Sequence, residues 1–194
     1  AGNVNKTISN AGKISLETPT GLSPVPQKSA AIYSLVDSGS GTLTTNNTGT
    51  VDVEQTGSAG IYAKNSTGTR ANSVVTNSGR IETKTAVPGN ASEGLVGISL
   101  NASTGTNTSG GTITLGTAYS TGMYGIAKST LTNAGTISGN KQNAVGMATK
   151  ASTATNTGTI TLSGINSTGM FGLTVGSDKS TLTNKGTING NGVG

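Results

Sequence analysis

A short phrase, Asn-x-Gly-x-(Ile/Val), returns along this chain and restricts it to one kind of architecture. It reads Asn10-Ala-Gly-Lys-Ile14, Asn47-Thr-Gly-Thr-Val51, Asn77-Ser-Gly-Arg-Ile81, Asn133-Ala-Gly-Thr-Ile137, Asn156-Thr-Gly-Thr-Ile160 and Asn184-Lys-Gly-Thr-Ile188. A seventh copy, Asn107-Thr-Ser-Gly-Gly-Thr-Ile113, carries two extra residues. Successive copies lie 37, 30, 30, 26, 23 and 28 residues apart. A period in this range marks a solenoid, in which each repeat buries its apolar residues only by stacking on its neighbours. Composition alone would point elsewhere. With 31% apolar residues and 31 glycines, a chain without periodicity would read as low-complexity sequence. Here the apolar residues recur at fixed places between turn residues, so an ordered stack is expected.

Each repeat divides into three short strands. The first precedes the Asn, as in Thr42-Leu-Thr-Thr45, Ser73-Val-Val-Thr76, Thr130-Leu-Thr132 and Thr181-Leu-Thr183. Alternation places Leu43, Leu131 and Leu182 inward and the flanking threonines in water. Asn-x-Gly is then the corner, since both residues tolerate the positive φ of a sharp bend. The stacked Asn side chains are expected to hydrogen-bond along the coil axis as a ladder. A second strand follows: Ile14-Ser-Leu16, Val51-Asp-Val53, Ile113-Thr-Leu115 and Ile160-Thr-Leu162. After a variable loop comes the third: Ile32–Leu35, Ile61–Ala63, Leu95–Ile98, Met123–Ile126, Ala144–Met147 and Met170–Leu173. Period-two patterning rich in β-branched residues favours strands throughout. Three strands per turn predict a right-handed parallel β-helix of about seven coils, roughly 30 Å long at about 4.8 Å per coil. The whole of residues 1–194 reads as one such segment, with insertion loops at 18–29 and 83–93. Bare β-helix ends are open sheet edges, so the segment is expected to belong to a longer protein.

The coils resemble the passenger regions of the large autotransporter adhesins of fusobacteria, the type Va secreted outer-membrane proteins. The phrases Asn184-Lys-Gly-Thr-Ile-Asn189, Asn166-Ser-Thr-Gly-Met-Phe171 and Ser120-Thr-Gly-Met-Tyr124 carry that resemblance. It covers most of the chain and fits residues 1–35 least well. It implies display on a Gram-negative cell surface and adhesion to host cells or partner bacteria. Ligands across the family include sugars such as galactose derivatives and host immune receptors. Membrane attachment would run only through a C-terminal barrel outside these residues. No family binding motif is matched residue by residue, so no site is inherited.

Several chemistries are excluded outright. Without Cys there are no disulfides or thiolate metal sites, and without His there is no imidazole base or ligand. A formal charge of +5 is spread over many coils, whereas nucleic-acid binding wants a dense basic stripe with stacking aromatics. No apolar run is long enough for a membrane-spanning helix. Neither a metal nor a cofactor is expected. Parallel β-helices include polysaccharide-degrading enzymes, but sparse acids and aromatics argue for a non-enzymatic chain.

Contact residues are sought where coils depart from the plain repeat. The loop at 18–29 holds three of the four prolines and Lys28, and the loop at 83–93 holds the fourth, with Lys84 and Glu93. Loops on a rigid scaffold favour recognition; tolerated insertion without a partner is the alternative. With Arg80, these lysines and Glu93 form the candidate ligand-binding set. Alignment on the Asn also stacks Lys13 over Thr50 and Arg80, Ser15 over Asp52 and Glu82, and Glu17 over Glu54 and Lys84. That charged surface is expected to be a solvated face of weak ion pairs; paired carboxylates binding a cation or acting as acid and base are the alternative. A lysine column, Lys64, Lys128, Lys150 and Lys179, reads as edge protection or as a contact for anionic glycans. Tyr33, Tyr62, Tyr124 and Phe171 occupy matching third-strand places, expected as an internal aromatic stack, with an exposed sugar platform as the alternative. Outward Thr112/Thr114, Thr136/Ser138 and Thr159/Thr161 resemble the flat faces of ice-binding solenoids, the second functional class considered. The preferred reading is an adhesin segment, adhesive in itself or spacing an adhesive tip from the outer membrane.

Overall fold

The computed structural model describes residues 5–17, 29–37, 41–55, 57–67, 72–84 and 94–190. Among these, the strands form three wholly parallel sheets of seven, seven and six strands. The first sheet holds Lys6–Asn10, Leu43–Asn47, Ser73–Asn77, Thr104–Asn107, Thr130–Asn133, Thr153–Asn156 and Thr181–Asn184. The second holds Lys13–Leu16, Thr50–Val53, Arg80–Thr83, Thr112–Leu115, Thr136–Gly139, Thr159–Leu162 and Thr187–Gly190. The third holds Ala30–Val36, Ala59–Asn65, Val96–Asn101, Thr121–Ile126, Val145–Lys150 and Thr168–Leu173. Each strand pairs only with its equivalents one coil away. This is the expected right-handed parallel β-helix.

The core is a set of columns, one residue per coil. Ile14, Val51, Ile81, Ile113, Ile137, Ile160 and Ile188 stack in the second sheet. Ile32, Ile61, Ile98, Met123, Met147 and Met170 face them from the third. From Val51 to Ile160 the first column is fully buried, each side chain contributing about 1.5–3 kcal/mol. In the seventh coil the columns open to solvent, with Leu182 at 38% and Ile188 at 40% exposure.

In the first sheet the expected core position needs one correction. Leu131 and Leu182 share an inward column with Val75, but the second coil supplies Thr45 there. Leu43 lies two residues earlier, in register with Ser73, and is half-buried. Leu43 lies four residues before its corner Asn47, whereas Leu131 lies two before Asn133, so the second coil's leucine is set one inward position earlier. Volume is conserved between neighbouring columns instead. A Cβ on Gly105 would sit 2.6 Å from Leu100 Cδ1, and one on Gly125 would sit 2.2 Å from Leu131 Cδ1. Leucine of one strand fills the space that glycine leaves on the next.

The Asn ladder forms as expected. Each Nδ2 donates to the Oδ1 of the next coil: Asn10 to Asn47, Asn47 to Asn77, Asn77 to Asn107, Asn107 to Asn133, Asn133 to Asn156, and Asn156 to Asn184, all at 2.7–2.8 Å. The reason for the adjoining glycine differs from the expected one. Neither Asn nor Gly of this corner has positive φ; what excludes a side chain is the coil below. A Cβ on Gly79, Gly135, Gly158 or Gly186 would lie 2.1–2.2 Å from the carbonyl oxygen of the preceding corner glycine. Left-handed backbone occurs at the other two corners, at Ala102, Lys128 and Ala151 after the third sheet and at Tyr119, Asn143 and Asn166 before it. After the third sheet a second ladder runs through serine, with the Ser103 and Ser129 amides donating to the hydroxyls of Ser129 and Ser152.

Candidate functional site

Two surfaces break the regular pattern, and both flank the corner where the second sheet leads to the third. On the second sheet the expected stacking is present: Lys13, Thr50 and Arg80 are in register, as are Ser15, Asp52 and Glu82. The expectation of a solvated face fails at its centre. Asp52 is only 2% exposed, because the lysines of the coils on either side lie over it. Lys84 Nζ approaches Asp52 Oδ2 to 2.7 Å and Lys13 Nζ approaches the same oxygen to 3.1 Å. Its other oxygen, Oδ1, is buried without a hydrogen-bond partner among the described residues. Arg80 pairs with Glu82 on its own strand, and Glu54 lies 4.0 Å from Lys84.

The electrostatics follow from that geometry. Burial by itself raises the Asp52 pKa, but the hydrogen bonds and charges of Lys84 and Lys13 outweigh it and hold the carboxyl below its ordinary value. The bond to Asp52 in turn raises the Lys84 pKa against the opposing effect of desolvation. Asp52 is therefore a carboxylate clamped by two ammonium groups across three coils. Such a group is poorly placed to share a proton or a cation with Glu82. Removing both lysines would strand a buried charge.

The second surface lies on the third sheet. Tyr33, Tyr62, Ser99, Tyr124, Ala148 and Phe171 form one column, one residue along from the inward Ile and Met column. Alternation therefore turns the rings outward, and the expected internal stack is overturned. Tyr33 is 52% and Phe171 45% exposed. The Tyr33 and Tyr62 rings are stacked, with centroids 5.5 Å apart and planes 13° from parallel. Beside them runs a groove of about 660 Å3 bounded by Tyr33, Tyr62, Ser99, Tyr124, Val96 and Ser58, with no charged side chain among the described residues that line it. The sequence does hold a clue to the facing. Two positions past the inward Ile or Met stand Ser34, Ala63, Leu100, Gly125, Thr149 and Gly172, small in every coil but that of Leu100, whereas the aromatics have no such limit.

The remaining sequence candidates are dispersed. Arg80 and Lys84 join the Asp52 cluster, and Glu17 lies exposed just past the first coil's second-sheet strand. Lys28 and Glu93 lie outside the described residues, as do residues 18–28 and 85–93 of the two insertions. Thr83, taken as a loop residue, is fully buried in the second sheet. The lysine column does not form: Lys64 is separated from Lys150 by Asn101 and Ile126 in register. Lys128 sits in a left-handed turn, 3.6 Å from Asp178, the residue before Lys179. The outward threonines of the second sheet are in register as expected. A more regular set, expected to face water but not read as an array from the sequence, lies on the first sheet: Thr104/Thr106, Thr130/Thr132, Thr153/Thr155 and Thr181/Thr183.

The family model described as the BigA third pectate lyase-like domain matches residues 1–151 and, in an overlapping second match, residues 101–194. Coils that superpose on one another allow one such model to fit in two registers. Among curated proteins and among solved structures nothing matches.

Proposed function

The chain belongs to the family of the BigA third pectate lyase-like domain, a bacterial surface adhesin-like domain, and on that footing we propose that it is an attachment segment of an adhesin passenger. It works by display. Backbone ladders, the Asn ladder and the aliphatic columns make a rigid rod, and contacts with host-cell or bacterial surface glycans or proteins are made by residues held on its outside. The reading is non-enzymatic and needs no cofactor, since Asp52 is committed to Lys13 and Lys84. The observation that carries it is one of placement. The Asp52 cluster lies on the second sheet and the stacked Tyr33 and Tyr62 on the third, both within the first three coils, and in sequence the two insertions that hold Lys28 and Glu93 run between strands of these two sheets.

The test is attachment of the labelled, folded chain to epithelial cells and to partner bacteria by flow cytometry, with free sugars as competitors. Saturable, competitor-sensitive binding, lost on deleting residues 18–29, is expected. A folded chain that attaches to neither would overturn the reading in favour of a spacer. A second reading rests on the first-sheet threonines, eight hydroxyl side chains in two outward columns over four coils. Such an array can order water as ice-binding faces do, and thermal hysteresis in freezing assays distinguishes it from adhesion.

A further inference from the structure

Resting on the attachment reading, we infer that the break in the third-sheet aromatic column at Ser99 is a binding slot for one ring of a neutral saccharide. The column runs Tyr33, Tyr62, Ser99, Tyr124, Ala148, Phe171; at Ser99, as again at Ala148, one coil lacks its ring between two that have one, and the gap at Ser99 is the one that the groove opens onto. Coils repeat at about 4.8 Å, which sets Tyr62 and Tyr124 roughly 10 Å apart across the gap. Rings in contact prefer centroid separations of about 4.5–7 Å, and the Tyr33–Tyr62 pair has 5.5 Å. A gap of two coil spacings therefore admits one ring-shaped group with an aromatic neighbour on each side.

The lining selects the kind of ring. Ser99, Ser29, Ser58 and three tyrosines line the groove. Apolar ring faces beside hydroxyl donors and acceptors suit a pyranose, whose C–H face is apolar and whose edge carries hydroxyls. Among the described residues no charged side chain lines the groove, so the described lining offers nothing to offset the desolvation of a carboxylate or ammonium on the ligand. That favours neutral hexoses over acidic sugars. The column is also a poor core element, since Tyr33 is exposed and Tyr62 and Tyr124 are half-buried while the adjacent Ile and Met column is buried.

The decisive variant is Ser99→Tyr, which fills the gap with the ring the column lacks and extends the stacking already present between Tyr33 and Tyr62. It should fold, with an unchanged or higher Tm, and lose the slot. The probes are lactose, cellobiose, maltose and methyl α-mannoside, with sialyllactose as the acidic comparator and the tripeptide Gly-Phe-Gly as an aromatic non-sugar. Binding is read by NMR shifts of Tyr62, Ser99 and Tyr124, and by tyrosine emission, since the chain has no Trp. At least one neutral sugar should saturate these shifts in the millimolar range, with Ser99→Tyr weakening it at least roughly tenfold and sialyllactose binding no tighter than lactose. The inference is overturned if no sugar moves those signals at about 50 mM, if Ser99→Tyr binds like the wild type, or if only Gly-Phe-Gly acts there. Cell attachment is measured on the same proteins. Wild-type attachment that Ser99→Tyr leaves intact, with no sugar in the slot, sinks the saccharide site and spares the adhesin reading. Sugar binding abolished by Ser99→Tyr in a chain that attaches to no cell supports the slot and removes that reading.

Discussion

Replacing Asn107 by Ala should cost several times as much stability as replacing Asn184 by Ala, although the two occupy the same place in the repeat. Asn107 is fully buried. Its Oδ1 accepts from Asn77 at 2.7 Å, and its Nδ2 donates to Asn133 at 2.8 Å and to the Gly111 carbonyl at 3.2 Å. Alanine removes both inter-coil bonds, at about 1 kcal/mol each, and leaves the Asn133 Oδ1 buried without its donor, at about 1–3 kcal/mol. Asn77 keeps the Gly79 carbonyl at 3.3 Å, and Gly111 keeps the Thr136 amide at 3.0 Å, so neither adds greatly. The total is about 3–5 kcal/mol. Asn184 is exposed and makes one inter-coil bond, accepting from Asn156 at 2.8 Å, so its loss should cost about 1 kcal/mol. Urea unfolding followed by circular dichroism measures both, and the two midpoints should separate clearly at equal slope. Costs for Asn107→Ala and Asn184→Ala that agree within about 0.5 kcal/mol would refute the reasoning. The ladder would then be a consequence of stacking and not a cause of stability.

Three further outcomes follow from the same geometry. Gly158→Ala drives a Cβ to 2.1 Å from the Gly135 carbonyl oxygen and should cost about 3 kcal/mol or more, whereas Gly12→Ala, with open space around its Cβ, should lie within about 0.5 kcal/mol of wild type; thermal melts compare them. Gly125→Ala should overpack against Leu131 and Leu131→Ala should leave a cavity of about 2–5 kcal/mol, yet the double variant should lose at least about 1 kcal/mol less than their sum in a double-mutant cycle. Asp52 has a depressed folded-state pKa, so its contribution is present above its unfolded pKa of about 4 and is lost as pH falls through the lower folded value. The stability gap between wild type and Asp52→Asn should accordingly narrow between about pH 5 and pH 2. Lys84, with its raised pKa, acts oppositely: its contribution is complete below its ordinary value and fades as pH rises through the folded one.

Much of the fold was legible because the repeat carries its own register. Aligning the seven Asn residues gives the pairing of every second-sheet strand, and with it the stacking of Lys13, Asp52 and Arg80 at the right neighbours. What failed was whatever depends on depth and not on register. Asp52 occupies an outward position by alternation, yet it is buried, because two long lysine stems from other coils lie across it. No pattern within one strand reveals such a cover. The Gly of the corner was legible as necessary and misread in cause: a steric contact with the coil below leaves the same residue as a positive φ would. The third strand was misread by one place. In Gly122-Met-Tyr-Gly125 either large residue has the hydrophobicity for the core, and only the small residues that follow the inward position decide between them.

That division separates what this rod needs in order to stand from what it can present. The Asn, corner Gly and inward Ile or Met positions face the axis or the next coil, and a change there propagates through nearest-neighbour stacking. Ser99, Tyr62 and Tyr124 point away from the axis, so a change there is felt mainly by whatever lies outside. Stability and recognition should accordingly be separable by position. At temperatures where both are folded, Asn107→Ala should leave saccharide shifts at the tyrosine column as they are in wild type. Ser99→Tyr should do the reverse, keeping the Tm and abolishing the shifts. If Asn107→Ala weakened the folded chain's sugar binding as much as Ser99→Tyr does, the column would owe its shape to the interior ladder, and the outer face could not be treated as an independent surface laid on a rigid core.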